Sequence, residues 1–197
     1  MVGSQQRWFN GGEVKMSLDL TNHKTAIFGL QGSGKTQLSK TLLKAFRKPA
    51  VYRVTPDFDN ENVYLLQPNS IEGDFDKHVK WFIHSPCDVL LVDEADLFLG
   101  NNFDLRKFPN FHELILKHRH FGKSLILISR RPQDIPTKIL ESCKYTIWFK
   151  VGDGENVMRK MGEISKDLPI LMNQLQYKDY RYIIKEVGVA PYIRNGV

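Results

Sequence analysis

The chain has 197 residues, 42% of them hydrophobic and 25% charged, with a formal net charge of +6. That length suits one well-buried α/β domain and is short for two, so residues 1–197 are read as a single domain with 1–12 as a loose lead-in. No apolar run reaches membrane-spanning length, Met1 to Glu13 lacks the order of a signal peptide, and Cys87 and Cys143 stand far apart without a C-x-x-C pairing, which points away from secreted, disulfide-built and zinc-built classes.

Val14 to Leu20 alternates apolar and polar residues and predicts a half-buried strand, after which Asn22 and His23 turn the chain. Thr25 to Phe28 is β-prone, and Lys35 to Lys48 predicts a helix with Leu38, Leu42 and Phe46 on one face. Between them, Gly29, Leu30, Gln31, Gly32, Ser33, Gly34, Lys35 and Thr36 fit G-x-x-x-x-G-K-[ST], and Gln37 comes next in the first helical turn. A strand, a glycine-rich turn and a helix N-terminus in that order aim backbone N–H groups and a helix dipole at one point, which suits a triphosphate. In such a loop Lys35 reaches the β and γ phosphates and the Thr36 hydroxyl ligates Mg²⁺, with ATP as the expected substrate.

Val51 to Val54 and Asn62 to Leu66 predict two strands separated by the polar loop Pro56 to Asn62, and Asp74 to His84 predicts a helix closed by Pro86. Asp88 to Asp93, DVLLVD, is a continuous apolar run ending in Asp93 and Glu94, as a buried parallel strand delivers carboxylates to the sheet's C-terminal edge. Asp93 is the expected Mg²⁺ carboxylate, Glu94 the group that polarises an attacking water, and Asp96 a cap for the next segment. Leu97 to Asn110 predicts a long loop, His112 to Phe121 a helix, and Ser124 to Ser129 another buried strand ending in Arg130, Arg131 and Pro132.

Gln133 to Leu140 predicts a turn or short helix, Tyr145 to Val151 a core strand, and Glu155 to Met161 and Leu168 to Leu175 short helices. Tyr180 to Glu186 and Val189 to Ile193 predict a closing hairpin about Val187 and Gly188. The fold expected is α/β: a mainly parallel central sheet flanked by helices, with small antiparallel additions at both ends.

Several of these stretches together resemble the FtsK–HerA superfamily of P-loop ATPases, which includes DNA pumps and viral genome-packaging motors. HKTAIFGLQGSGKT at His23 to Thr36 looks like the family's entry strand and phosphate loop, and LLVDEADLF at Leu90 to Phe98 like its acidic strand. KHRHFGKSLILISRRPQDIP at Lys117 to Pro136 resembles the family's basic residue and glycine before a hydrophobic strand, then a polar residue, Arg-Pro and an aspartate. RYIIKEVGVAPYIR is similar to the hairpin that closes its motor domain. The chain departs from the family at one position, having Arg130 where a glutamine usually senses the γ-phosphate; an arginine could sense it by charge or point away.

The resemblance implies a RecA-like core and a homo-oligomeric ring, pentameric or hexameric, in which Arg119 acts on the neighbouring subunit's nucleotide. The alternative is that Arg119, with Lys117, His118 and His120, forms a solvated helix end. It further implies double-stranded DNA as partner, pumped into a capsid, with capsid, portal or membrane proteins as docking partners and the host cytoplasm or the virion as location. The positive charge suits DNA phosphates and equally a plain basic surface. Arg106, Lys107 and Lys123 are the basic residues offered for that contact. A toxin-like phage assembly or secretion ATPase is the second reading, and a small-molecule kinase or nucleotide switch the third.

Overall fold

The computed structural model describes residues 18–59, 61–68, 74–99 and 104–196. Eight strands form one sheet in the order β3-β2-β4-β5-β1-β6-β7-β8. They are β1 (Lys24–Phe28), β2 (Pro49–Tyr52), β3 (Tyr64–Leu66), β4 (Val89–Val92), β5 (Ser124–Ser129), β6 (Tyr145–Trp148), β7 (Tyr182–Glu186) and β8 (Tyr192–Arg194). β1 to β6 are parallel, and among the described residues the antiparallel pairs are β6 with β7 and β7 with β8. The expected mainly parallel α/β sheet with a C-terminal hairpin is therefore present.

Every residue of β1, β2, β4, β5 and β6 is buried, the signature of strands covered on both faces. One face packs Ile27, Leu91, Ile126 and Ile147 against Leu38 and Leu42 of α1 (Lys35–Leu43) and against Phe58. The other packs Phe28, Leu90, Leu127 and Trp148 beneath α2 (Phe75–His84), α4 (Pro109–Lys117), α5 (Thr137–Glu141), α6 (Glu155–Ile164) and α7 (Asp167–Met172). No helix among the described residues is long and apolar enough to cross a membrane.

The sequence expectations are corrected at several boundaries, each with a local cause. The first helix stops at Leu43 rather than Lys48, because the Asp88 carboxylate accepts the N–H groups of Arg47 and Lys48 and draws that segment toward β4. α4 starts at Pro109 and ends at Lys117 instead of running from His112 to Phe121. Proline suits its first turn, and the Asp76 carboxylate accepts the N–H groups of Asn110 and Phe111. The stretch expected as loop from Leu97 holds most of a short helix, α3 (Asp96–Leu99).

Among the described residues antiparallel pairing occurs at one end of the sheet only, since the opposite edge strand, β3, runs parallel to β2. The expected strand Val14 to Leu20 lies mostly outside the described residues, and its described end, 18–20, is not strand.

Candidate functional site

Parallel strands deliver their C-terminal ends to one edge, and here Phe28 of β1, Val92 of β4 and Ser129 of β5 end side by side or one strand apart. The phosphate loop leaves β1 at that edge. Gly32 and Gly34 adopt φ of 73° and 105°, in the left-handed region that glycine enters without cost. Gly29 is glycine for space: a Cβ there would lie 2.5 Å from Ser33 Oγ and 2.7 Å from Phe149 Cβ. Gly29→Ala is expected to distort the loop and cost about 1–3 kcal/mol of stability, read by denaturant unfolding, together with a loss of nucleotide affinity.

Lys35 is buried, and its ammonium donates to the Gly29 and Leu30 carbonyls at 2.7 and 2.8 Å. Burial pushes it down to about 8, the Arg130 guanidinium adds to the fall, and Asp93, Asp96 and Glu94 oppose it. A phosphate placed against it would favour the charged form. Nucleotide affinity is therefore expected to be full below pH 8 and to fall, by up to about tenfold per pH unit, above it. Titration calorimetry at pH 7 and 8.5 in buffers of different ionisation enthalpy should show proton uptake on binding at the higher pH.

Asp93 is 5% exposed. One of its oxygens accepts the Thr55 hydroxyl at 3.0 Å and the other accepts the Glu94 N–H at 3.1 Å. Burial raises its pKa, so the site disfavours a bare carboxylate and favours one paired with a cation. Glu94 comes next with φ of 50°, a left-handed conformation uncommon outside glycine, fixed by neighbours on both sides: the Asp93 N–H donates to Tyr52 O and the Ala95 N–H to Ile128 O. Its carboxylate forms an ion pair with Arg130, which leaves the end of β5.

Two adjoining cavities cover this edge. One, of about 240 Å³, is lined by Lys35, Thr36, Thr55, Asp57, Asp93, Glu94 and Arg130 among others. The other, of about 310 Å³, runs from Gly32 and Gly34 past Thr36, Gln37 and Lys40 to Tyr180. Lys35, Thr36, Asp93, Glu94 and Arg130 are thus brought together, with Gln31 and Gly32 beside them, while Ser33 is buried with its hydroxyl unpartnered.

That orphaned hydroxyl, the glycine-lined turn and a buried ammonium held only by carbonyls fit a polyphosphate. The oxygen donors Thr36 and Asp93 fit a hard cation such as Mg²⁺. Among the described residues no cluster of three His, Cys, Asp or Glu side chains could hold a metal unaided.

Two other residues are placed elsewhere. Arg119 follows α4 and precedes β5, so it sits at the opposite edge of the sheet, where its charge acts on His23 and Lys24. Six residues of strand, about 20 Å, separate that edge from Ser129. Arg119 and His120 are exposed, whereas His118 is buried and pushed down to about 4 by burial and by the charges of Lys24 and Arg119, so the stretch is not uniformly solvated. Lys123, offered as a DNA contact, is buried instead, its ammonium donating to the carbonyls of Ser85 and Cys87.

Thr55, Asp57, Tyr177 and Tyr180 were not singled out from sequence. The signal for Thr55 and Asp57 was there: both follow a parallel strand next to the acidic one, where polar loop residues face the site. Tyr177 and Tyr180 come from a distant turn and left no such signal.

The sequence model of the ATPase family associated with various cellular activities (AAA) matches residues 25–151. No curated protein matches the sequence significantly. The fold is similar to the genome packaging NTPase B204 from Sulfolobus turreted icosahedral virus 2 in complex with sulfate, with TM-score 0.72 and 20% identity over 89% of this chain and 96% of that one. The same protein in complex with ATP-gammaS gives TM-score 0.69 at 19% identity, covering 89% and 98%. EssC (ATPases 2 and 3) from Geobacillus thermodenitrificans gives TM-score 0.61 at 14% identity over 89% of this chain and 40% of that one. At these identities the likeness is one of fold.

Proposed function

The chain belongs to the ATPase family associated with various cellular activities, and from that premise we propose that it is a ring-forming, Mg²⁺-dependent ATP hydrolase that drives double-stranded DNA into a viral capsid. The observation that carries the reading is the meeting of Lys35, Thr36, Asp93 and Glu94 in one cleft, with an exposed arginine on the far edge of the same sheet. The fold likeness to a genome packaging NTPase over nearly the full length of both chains supports the choice of cargo.

Lys35 and the loop N–H groups hold the phosphates. Thr36 and Asp93 would hold Mg²⁺, which when bound neutralises charge on the phosphate oxygens. Glu94 takes the proton of the attacking water once its carboxylate is released from Arg130. Arg119 is too far from its own loop to act there, and in a ring it would complete the neighbour's site, which makes the pentamer or hexamer part of the catalyst. Capsid, portal or membrane proteins dock the ring at the end of its work, in host cytoplasm or on the virion.

The test is ATP hydrolysis against protein concentration, with and without double-stranded DNA. Specific turnover should rise with concentration and with DNA. Turnover that is independent of both would overturn the motor reading.

A further inference from the structure

Opposite the phosphate loop, residues 176–181 form a turn built under strain. Lys178 and Tyr180 both carry left-handed backbone, with φ of 67° and 57°, which costs a bulky residue free energy and persists only where the surroundings impose it. Asp179 supplies that constraint. Its carboxylate accepts the N–H groups of Gln176 and Arg181 and the Arg181 guanidinium, which in turn donates to Gln174 O.

The turn presents two tyrosines to the loop. Tyr177 donates its hydroxyl to Gln31 O at 3.0 Å, tying the turn to the phosphate loop. The Tyr180 ring comes so close to Gly34 that a Cβ there would lie 3.3 Å from Tyr180 Cδ1. Tyr180 remains 49% exposed and walls the cavity that continues from the loop past Thr36, Gln37 and Lys40.

That cavity shares Gly32, Lys35, Thr36 and Asp57 with the acidic one and extends beyond it past Gln37 and Lys40 to Tyr180. The γ-phosphate, metal and water belong with Asp93, Glu94 and Arg130, so the half that leads away from them along α1 receives the other end of the nucleotide. A half-exposed aromatic face at its wall offers a π surface and no hydrogen-bond code.

We propose that Tyr180 is the nucleobase platform of this site, stacking on the purine, and that the Asp179-clamped turn holds it in place with Tyr177 as a positioning residue. This rests on the nucleotide-binding reading above. Because stacking reads ring area rather than edge groups, adenine and guanine nucleotides are held alike through Tyr180.

The test compares Mg-ADP, Mg-GDP and pyrophosphate, which shares the phosphates and lacks a base, by calorimetry on the intact chain. Tyr180→Ala should weaken both nucleotides by about 5- to 150-fold and leave pyrophosphate within about twofold, while Tyr180→Phe binds all three as the parent does. Tyr180→Asn, which tolerates left-handed backbone, should match the alanine variant and so separates loss of the ring from loss of the turn. Undiminished nucleotide binding in Tyr180→Ala, or equal losses for nucleotide and pyrophosphate, overturns the platform. A parent protein that binds none of the three overturns the nucleotide site itself, which is a different failure.

Discussion

Arg119→Ala is expected to lower turnover of the assembled protein by about 10³- to 10⁵-fold with little change in nucleotide affinity, the range typical of an arginine supplied to a phosphoryl-transfer site. The position of Arg119 makes this sharp. It lies about a strand's length from the loop of its own chain, so an effect on chemistry has to pass through a second subunit. Mixing Arg119→Ala protein with Lys35→Ala protein should therefore restore part of the activity, because at one kind of mixed interface the intact Arg119 of a Lys35→Ala subunit meets the intact phosphate loop of an Arg119→Ala subunit. An Arg119→Ala protein with parental turnover would remove the residue from catalysis and leave only the exposed end of a helix.

Glu94→Gln carries the second large effect: a fall in turnover of about 10²- to 10⁴-fold with ATP binding retained. The amide keeps the shape of the side chain and loses the ability to take a proton. It also dissolves the ion pair with Arg130, and that gives the variant a companion. Arg130→Gln removes the same ion pair while leaving the carboxylate intact, so turnover should survive if Arg130 only restrains Glu94. A loss beyond about tenfold in Arg130→Gln would instead place the guanidinium on the phosphate. Single-turnover hydrolysis with labelled ATP separates these effects from binding.

The centre of this molecule could be read from sequence because its chemistry is local. A phosphate loop needs glycine at defined positions and a lysine next to a hydroxyl, and the strand before Asp93 and Glu94 is apolar throughout, as a strand covered on both faces must be. Ser124 to Ser129 was bounded to the residue for the same reason. The features that were missed depend on contacts between distant parts of the chain. The carboxylates of Asp88 and Asp76 reset the ends of two helices by capturing N–H groups from other elements. Lys123 looked like a surface cation, yet its stem is covered and its ammonium bonds two carbonyls. The Arg130 guanidinium chose a carboxylate in the turn that follows the neighbouring strand, a partner that no spacing rule could reveal. Tyr177 and Tyr180 reach the loop only because the sheet brings the end of the chain back alongside its beginning.

The strand that begins five residues after Arg119 ends one residue before Arg130. β5 lies between β4 and β1, paired to β4 over Ser124–Leu127 and to β1 over Leu125–Ser129, and a strand held that way is stiff against sliding. In the proposed ring one end of this rod would meet a subunit's own spent phosphate and the other would meet the fuel of the next subunit. A displacement of Arg130 at the moment of cleavage would then shift Arg119 in step, setting the timing by which firing passes from each protomer to its neighbour.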